Sequence, residues 1–219
     1  VPRLAALLLL VPVLALALLT NQEIFNAYLV WADEHFQLTF AGNTLPTSWM
    51  ITLDAAFSFS MLVAVAAFWK WRSAKTGREP DELGKMIIGS FFTIAGGLCL
   101  VIAAATQGDA KIGLFWPVMF HLLNSIGFSH ILPVSLALFT KVAPKAVTAT
   151  VVGIYYLAFF AANKIVGVVG GWYSSMDTVQ FWLLHVATAA VGLVAFTLFK
   201  LFVADRLMAV QAISQGTSR

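Results

Sequence analysis

The sequence predicts an all-α membrane protein folded as one six-transmembrane-helix bundle, and three observations carry that prediction. Hydrophobic residues make up 60% of the 219-residue chain, charged residues only 11%, and the mean hydropathy is +0.88. A soluble domain holds about 25% charged residues. Apolar runs of roughly 20 residues, the length a helix needs to cross about 30 Å of hydrocarbon, recur six times. The cations fall in short clusters between those runs, where they bear on topology.

The six spans fall at about 4–31, 47–70, 85–105, 113–140, 147–171 and 179–203, giving one domain over about 1–205 and a tail over 206–219. Arg3 followed by an apolar run and Ala15-Leu16-Ala17 has the outline of a signal peptide. The apolar residues that continue from Ile24 to Trp31, and Val1 in place of Met, argue for a membrane span instead. The start at Val1 is read as that of a fragment. With both ends cytoplasmic, the inside receives Arg3, then Lys70, Arg72, Lys75, Arg78 and Lys85, then Lys141 and Lys145, then Lys200, Arg206 and Arg219. The outside receives Lys111 alone, and Lys164 falls within a span. That is a strong positive-inside bias, and the alternation fails with five spans. A multi-pass protein of the cell (inner or plasma) membrane follows.

The net charge of +3 is not nucleic-acid affinity, because no basic face with interleaved aromatics is present. A single cysteine, Cys99, lies in an apolar segment, which excludes a disulfide framework and a thiolate metal site. No cofactor is expected. The longer loops are an outer one at about 32–46 and an inner one at about 69–85. A bundle of six helices is too small to enclose a wide solute path unaided, and transporters are built from paired bundles around a midplane site. The simplest account is half of a twelve-helix transporter.

Several stretches carry a resemblance. Leu45-Pro46-Thr47-Ser48-Trp49 followed by Asp54 resembles "iPxSWfqslNP", and Gly77-Arg78-Glu79-Pro80 with Lys85 resembles "GrePs…K". Pro133-Val134-Ser135-Leu136 through Thr140-Lys141-Val142-Ala143-Pro144 resembles "SPvGLsxvTKLAP", and Gly153-Ile154-Tyr155-Tyr156-Leu157 resembles "GxWfL". In this order they are similar to the C-terminal half of the proton-dependent oligopeptide transporters, a branch of the major facilitator superfamily. The resemblance implies helices seven to twelve of a major facilitator fold. It implies a solute cavity lined by helices seven, eight, ten and eleven, and proton-driven symport of di- and tripeptides by alternating access. The partners implied are protons, a short-peptide or other small-molecule substrate, the lipid bilayer and a missing N-terminal six-helix half. The family's ExxER motif belongs to its first helix, and nothing here matches it.

The departures bear on substrate. Where the resemblance places a glutamate for the peptide's amino terminus, this chain has Phe128; its helix-eight asparagine falls on Asp54 and its helix-eleven tryptophan on Tyr155. Amine recognition then passes to Asp54 or Glu23, or is lost. The region Asn21 to Tyr28 aligns to the family in more than one way.

Ionisable side chains inside so apolar a span are costly and are functional candidates by default. At 1.5 Å per residue, Asp54 lies roughly 12 Å below the outer end of its helix and Lys164 about 10 Å below the end of its own. The expectation is a pair that substrate or a proton breaks; the alternatives are a static pair, or Lys164 snorkelling to the interface. Glu23 and Asn26, at i and i+3, and Gln22 and Asn26, at i and i+4, form a solute-facing stripe unless the helix leaves the bilayer near Thr20. Asn124 shares a face with Phe128 and with His121, whereas His130 sits roughly 120° away and reads as a packing group. His121 and His185 read as structural. The expected substrate-binding residues are therefore Asn26, Asp54, Asn124, Phe128 and Tyr155, and the expected proton-coupling or gating residues are Asp54, Lys164 and Glu23.

Pro133 lacks an N–H and is a candidate hinge. Gly167 and Gly171 form a GxxxG pair for close helix contact. Asp33, Glu34 and His35 are adjacent and do not converge on one ion, so no metal site is expected. An intramembrane enzyme built on His121, His130 and Glu23 needs a nucleophile–base or HExxH arrangement, and none is present. No catalytic residue is assigned. A half carrying a non-peptide solute and a non-transporting membrane subunit remain the other readings.

Overall fold

The computed structural model describes residues 2–204, so the tail at 206–219, with Arg206 and Arg219, lies outside the described residues. Within them, helix α1 (Pro2–Glu23) and helix α2 (Ala27–His35) are followed by a small hairpin of β1 (Thr39–Phe40) and β2 (Asn43–Thr44). Four long helices complete the order: α3 (Trp49–Thr76), α4 (Glu82–Thr106), α5 (Phe115–Val142) and, after a 3₁₀ turn at Lys145–Val147, α6 (Thr148–Gly170). Helix α7 (Thr178–Phe199) closes the bundle and runs into a π turn at Lys200–Ala204. Among the described residues six segments are long and apolar enough to cross a membrane, the first of them Leu4–His35, which takes in most of α1 and all of α2.

That first segment is broken without proline or glycine. The amides of Ile24, Phe25 and Asn26 bond three residues back rather than four, and Asn26 takes φ −135°, ψ −116°. The Ala27 N–H, which a continuous helix would give to the Glu23 carbonyl, instead donates to the Glu23 carboxylate at 3.1 Å. A side chain thus satisfies the backbone donor that the break releases. Irregular backbone at this depth is tolerated where protein surrounds it, and Ile24 and Ala27 are buried.

Helix α4 packs between α5 and α7, α1 packs on α6 and α7, and α3 leans on α5. The α4–α5 crossing is close because two glycines face each other across it. A Cβ on Gly127 would lie 2.4 Å from Thr93 Oγ1 and 2.8 Å from the Gly89 carbonyl, and one on Gly89 would lie 2.8 Å from the Gly127 carbonyl. The expected GxxxG contact is not where sequence placed it: a Cβ on Gly167 meets nothing within 4 Å, whereas one on Gly170 would collide with the Asn26 amide. Gly170, one position away, is what lets α6 approach the α1–α2 break.

Asp81 caps α4 by accepting from the Gly84 N–H, and Gly77 ends α3 with φ 63°. Ion pairs Glu82–Lys141 and Asp81–Lys200, with Glu79–Lys85, tie the ends of α4, α5 and α7 together. This is the basic end of the bundle. At the other end Lys111 donates to the Glu34 carbonyl, Gln107 meets His35 at 2.9 Å and Tyr173 donates to Glu34 at 3.2 Å. Burial, then the nearby Glu34 carboxylate, holds the Tyr173 phenol well above its ordinary range.

Candidate functional site: a polar layer between two apolar cores

The apolar core is divided in two. One cluster, toward the basic end, gathers residues such as Leu14, Met86, Phe139 and Phe196. The other, toward the opposite end, gathers Tyr28, Trp31, Leu100, Phe120 and Trp182. Between them lies a set of buried polar residues: Thr20, Asn21 and Glu23 on α1, Thr93 on α4, Asn124 and Ser125 on α5, and His185 on α7. Buried polar groups need partners, and each lone one costs roughly 1–3 kcal/mol.

Two carboxylates lie in this layer, and each has a histidine. Glu23 Oε2 stands 3.1 Å from His185 Nε2, with both side chains fully buried. His185 Nδ1 lies 2.9 Å from the Phe181 carbonyl, and Glu23 Oε1 accepts from the Ala27 N–H. A carbonyl oxygen only accepts, so Nδ1 carries a hydrogen. A carboxylate also only accepts, so the contact between Nε2 and Oε2 needs one proton more, on either atom. This pair closes with a single proton and zero net charge.

Asp54 Oδ1 lies 3.2 Å from His121 Nδ1, and His121 Nε2 lies 2.9 Å from the Tyr28 hydroxyl. Tyr28 and His121 are fully buried, while Asp54, also buried, keeps 6% of its surface exposed and is the least enclosed of the three. The three residues come from α2, α5 and α3, so the chain of contacts links α2 to the packed α3–α5 pair.

The expected Asp54–Lys164 pair is corrected by this geometry. Asp54 is turned toward α5, and Lys164 is exposed, with its ammonium 5.9 Å from the centre of the Phe160 ring on the same helix. Equal depth placed the two charges at one level, but they face different sides. His121 and His185, read from sequence as structural, are the partners of both buried carboxylates. The signal for them was available: a buried carboxylate needs a cation or a donor at its own level, and histidine is the residue this layer supplies.

The remaining expected residues divide. Asn26 donates to the Val166 carbonyl at 3.0 Å, bracing the break against α6. Asn124 is buried, and neither its amide nitrogen nor its oxygen has a hydrogen-bond partner. Phe128 packs, partly buried, against the core cluster toward the basic end. Tyr155 is buried with its hydroxyl donating to the Leu132 carbonyl and 3.1 Å from Ser135 Oγ. Helix α5 runs unbroken through Pro133.

His130 is held neutral by its contacts: the Trp69 indole N–H, which only donates, bonds Nε2 at 3.0 Å, and Nδ1 faces the Ile126 carbonyl at 2.8 Å. Beside it a cleft of about 1240 Å³ opens between α3 and α5 toward the basic end, lined by Trp69, Lys85, His130, Pro133 and Lys141 among others.

Known proteins resemble the chain as follows. The model of the POT family matches residues 3–185. Peptide transporter YePEPT of Yersinia enterocolitica is 28% identical over 150 residues, which cover 67% of this chain and 29% of that transporter. The uncharacterized transporter YclF of Bacillus subtilis is 28% identical over 165 residues, 74% of this chain and 33% of that one. A crystal structure of peptide transporter POT in complex with sulfate superposes with a TM-score of 0.79 at 21% identity, covering 94% of this chain and 40% of that one. A POT family transporter in complex with a thioalcohol-conjugated peptide gives 0.79 at 16% identity, over 91% and 41%. The fold is therefore that of a six-helix half of these transporters, and the chain spans about a third of the length of the curated relatives it matches.

Proposed function

The chain belongs to the POT family, and from that premise we propose that it forms the solute-binding half of a proton-driven symporter of short peptides or a related small solute. It works by alternating access against a second six-helix unit. The observation that carries this reading is the polar layer at mid-depth, with Asp54 and Glu23 buried in it and the Asn124 amide left without a partner. Transporters place substrate and coupling-ion sites near the bilayer midplane. A layer that served packing alone would cost stability for nothing.

The cationic end, with Lys70, Lys85, Lys141 and Lys200 on adjoining helix ends, is the cytoplasmic face by the positive-inside rule, in a cell membrane. Asp54 is the less enclosed of the layer's two buried carboxylates, so a substrate ammonium is recognised there, with Asn124 supplying donor and acceptor. Phe128 leaves no carboxylate at the position the family uses for that amine, which favours a substrate whose cation sits nearer α3. Tyr155, Glu23 and Asn26 hold the helices that frame the site. Pro133 lies at the mouth of the basic-end cleft and serves as the point about which the end of α5 moves.

The test is uptake of a labelled dipeptide by the native-length transporter in proteoliposomes. Uptake driven by an inward proton gradient and competed by unlabelled di- and tripeptides is expected. Gradient-independent leakage, or no competition by any peptide, would refute it.

A further inference from the structure

We infer that Asp54, His121 and Tyr28 form the site that loads and releases the transported proton, and that Glu23–His185 keeps its single proton through the whole cycle. The inference rests on the transporter reading above and names the group that carries the coupling ion.

The argument is one of hydrogen-bond valence. In Glu23–His185 the outer positions are fixed by groups with one role each, the Phe181 carbonyl and the Ala27 N–H. Removing the shared proton leaves two acceptors facing each other at 3.1 Å, and a second proton has to go to Oε1, the oxygen already committed to accepting from the Ala27 N–H. Either change breaks a bond between fully buried groups. The pair resists both, so it cannot serve as a carrier.

The Asp54 chain has no such lock. Tyr28 ends it with a hydroxyl that both donates and accepts, so His121 Nε2 is satisfied with or without a hydrogen. With His121 neutral, its Nδ1–H donates to the Asp54 carboxylate and Nε2 accepts from Tyr28, leaving one net negative charge in the layer. One proton arriving at the exposed edge of Asp54 removes that charge. It rests on the second carboxyl oxygen, or crosses to make an imidazolium beside a carboxylate; the two forms belong to one coupled pair. No bond between Asp54 and His121 is lost in either.

The surroundings add no competing charge. Helix α2 presents Tyr28 to His121, with Glu23 at the break held by His185; helix α3 presents Asp54; helix α7 presents Trp182 and His185. Helix α4 has only the Cys99 thiol as a titratable group beyond Lys85. Lys164 is turned away over Phe160.

The experiment is magnetic resonance of isotope-labelled histidine in the native-length transporter in lipid, over about pH 5 to 8, where a histidine ordinarily titrates. The four histidines of the chain are assigned by single substitutions. The His121 ring nitrogens are expected to respond in one step that Asp54→Asn abolishes and that added dipeptide displaces. His185 and His130 are expected to stay in one state. A His121 signal unchanged over the range, or a step at His185, overturns the inference. Gradient-driven uptake persisting alongside that result leaves the transporter reading intact.

Discussion

The Glu23–His185 pair lends itself to a quantitative test. Glu23→Ala strips three helices of one group: Ala27 N–H loses its acceptor at 3.1 Å, His185 Nε2 loses its partner at 3.1 Å, and both are fully enclosed. Each orphaned group costs about 1–3 kcal/mol, and removing one member of a buried pair costs about 3–5 kcal/mol. For a chain of this size roughly 2–4 °C accompanies each kcal/mol, so the melting temperature should fall by about 6–20 °C. Glu23→Gln is the discriminating variant. Its amide oxygen accepts from Ala27, and its amide N–H donates to His185 Nε2, standing in for the shared proton; the expected loss is below about 1 kcal/mol. Heating in detergent with a dye that reacts with Cys99, half-buried on α4, reads unfolding directly. Equal losses for Glu23→Ala and Glu23→Gln would refute this reasoning, because Gln supplies both the acceptor for the Ala27 N–H and the donor for His185 Nε2 that the two-bond account requires.

Gly127→Ala is expected to destabilise by about 1–3 kcal/mol in the same melt, since the new methyl meets Thr93 and the Gly89 carbonyl, and backbone cannot move aside as a side chain can; Gly167→Ala, which meets nothing, is the matched control. Lys164→Gln is expected to leave the pH dependence of dipeptide uptake in place while Asp54→Asn removes it, as measured by initial rates across a series of external pH values.

What sequence revealed and what it hid have separate physical causes. The six spans were legible because hydrocarbon thickness imposes a length on every helix. The break at Ile24–Asn26 was not, because no glycine or proline marks it; it depends on a carboxylate taking the Ala27 N–H, an interaction visible only once the side chain is placed. Depth along a helix was also legible, and it put Asp54 and Lys164 at one level. Depth carries no information about azimuth. Tyr156, Phe160, Lys164 and Val168 form one exposed stripe of α6, which fixes the side to which Lys164 points.

The same limit explains why the histidines were undervalued. A lone intramembrane histidine is ambiguous when taken by itself, and so is a lone carboxylate; the constraint acts on the pair. In water Asp54 and Glu23 would be content without partners, but each buried carboxylate demands a donor or a proton at its own level. Four of the helices bring one histidine to one carboxylate twice, with different third members. A carbonyl behind His185 fixes its proton, and a phenol behind His121 leaves its proton free to come and go. Exchanging those third members should therefore exchange the roles: Tyr28→Phe removes the group that accommodates either state of His121. It should narrow the pH range of uptake without abolishing binding of dipeptide, and an unchanged pH profile in that variant would leave Tyr28 as packing.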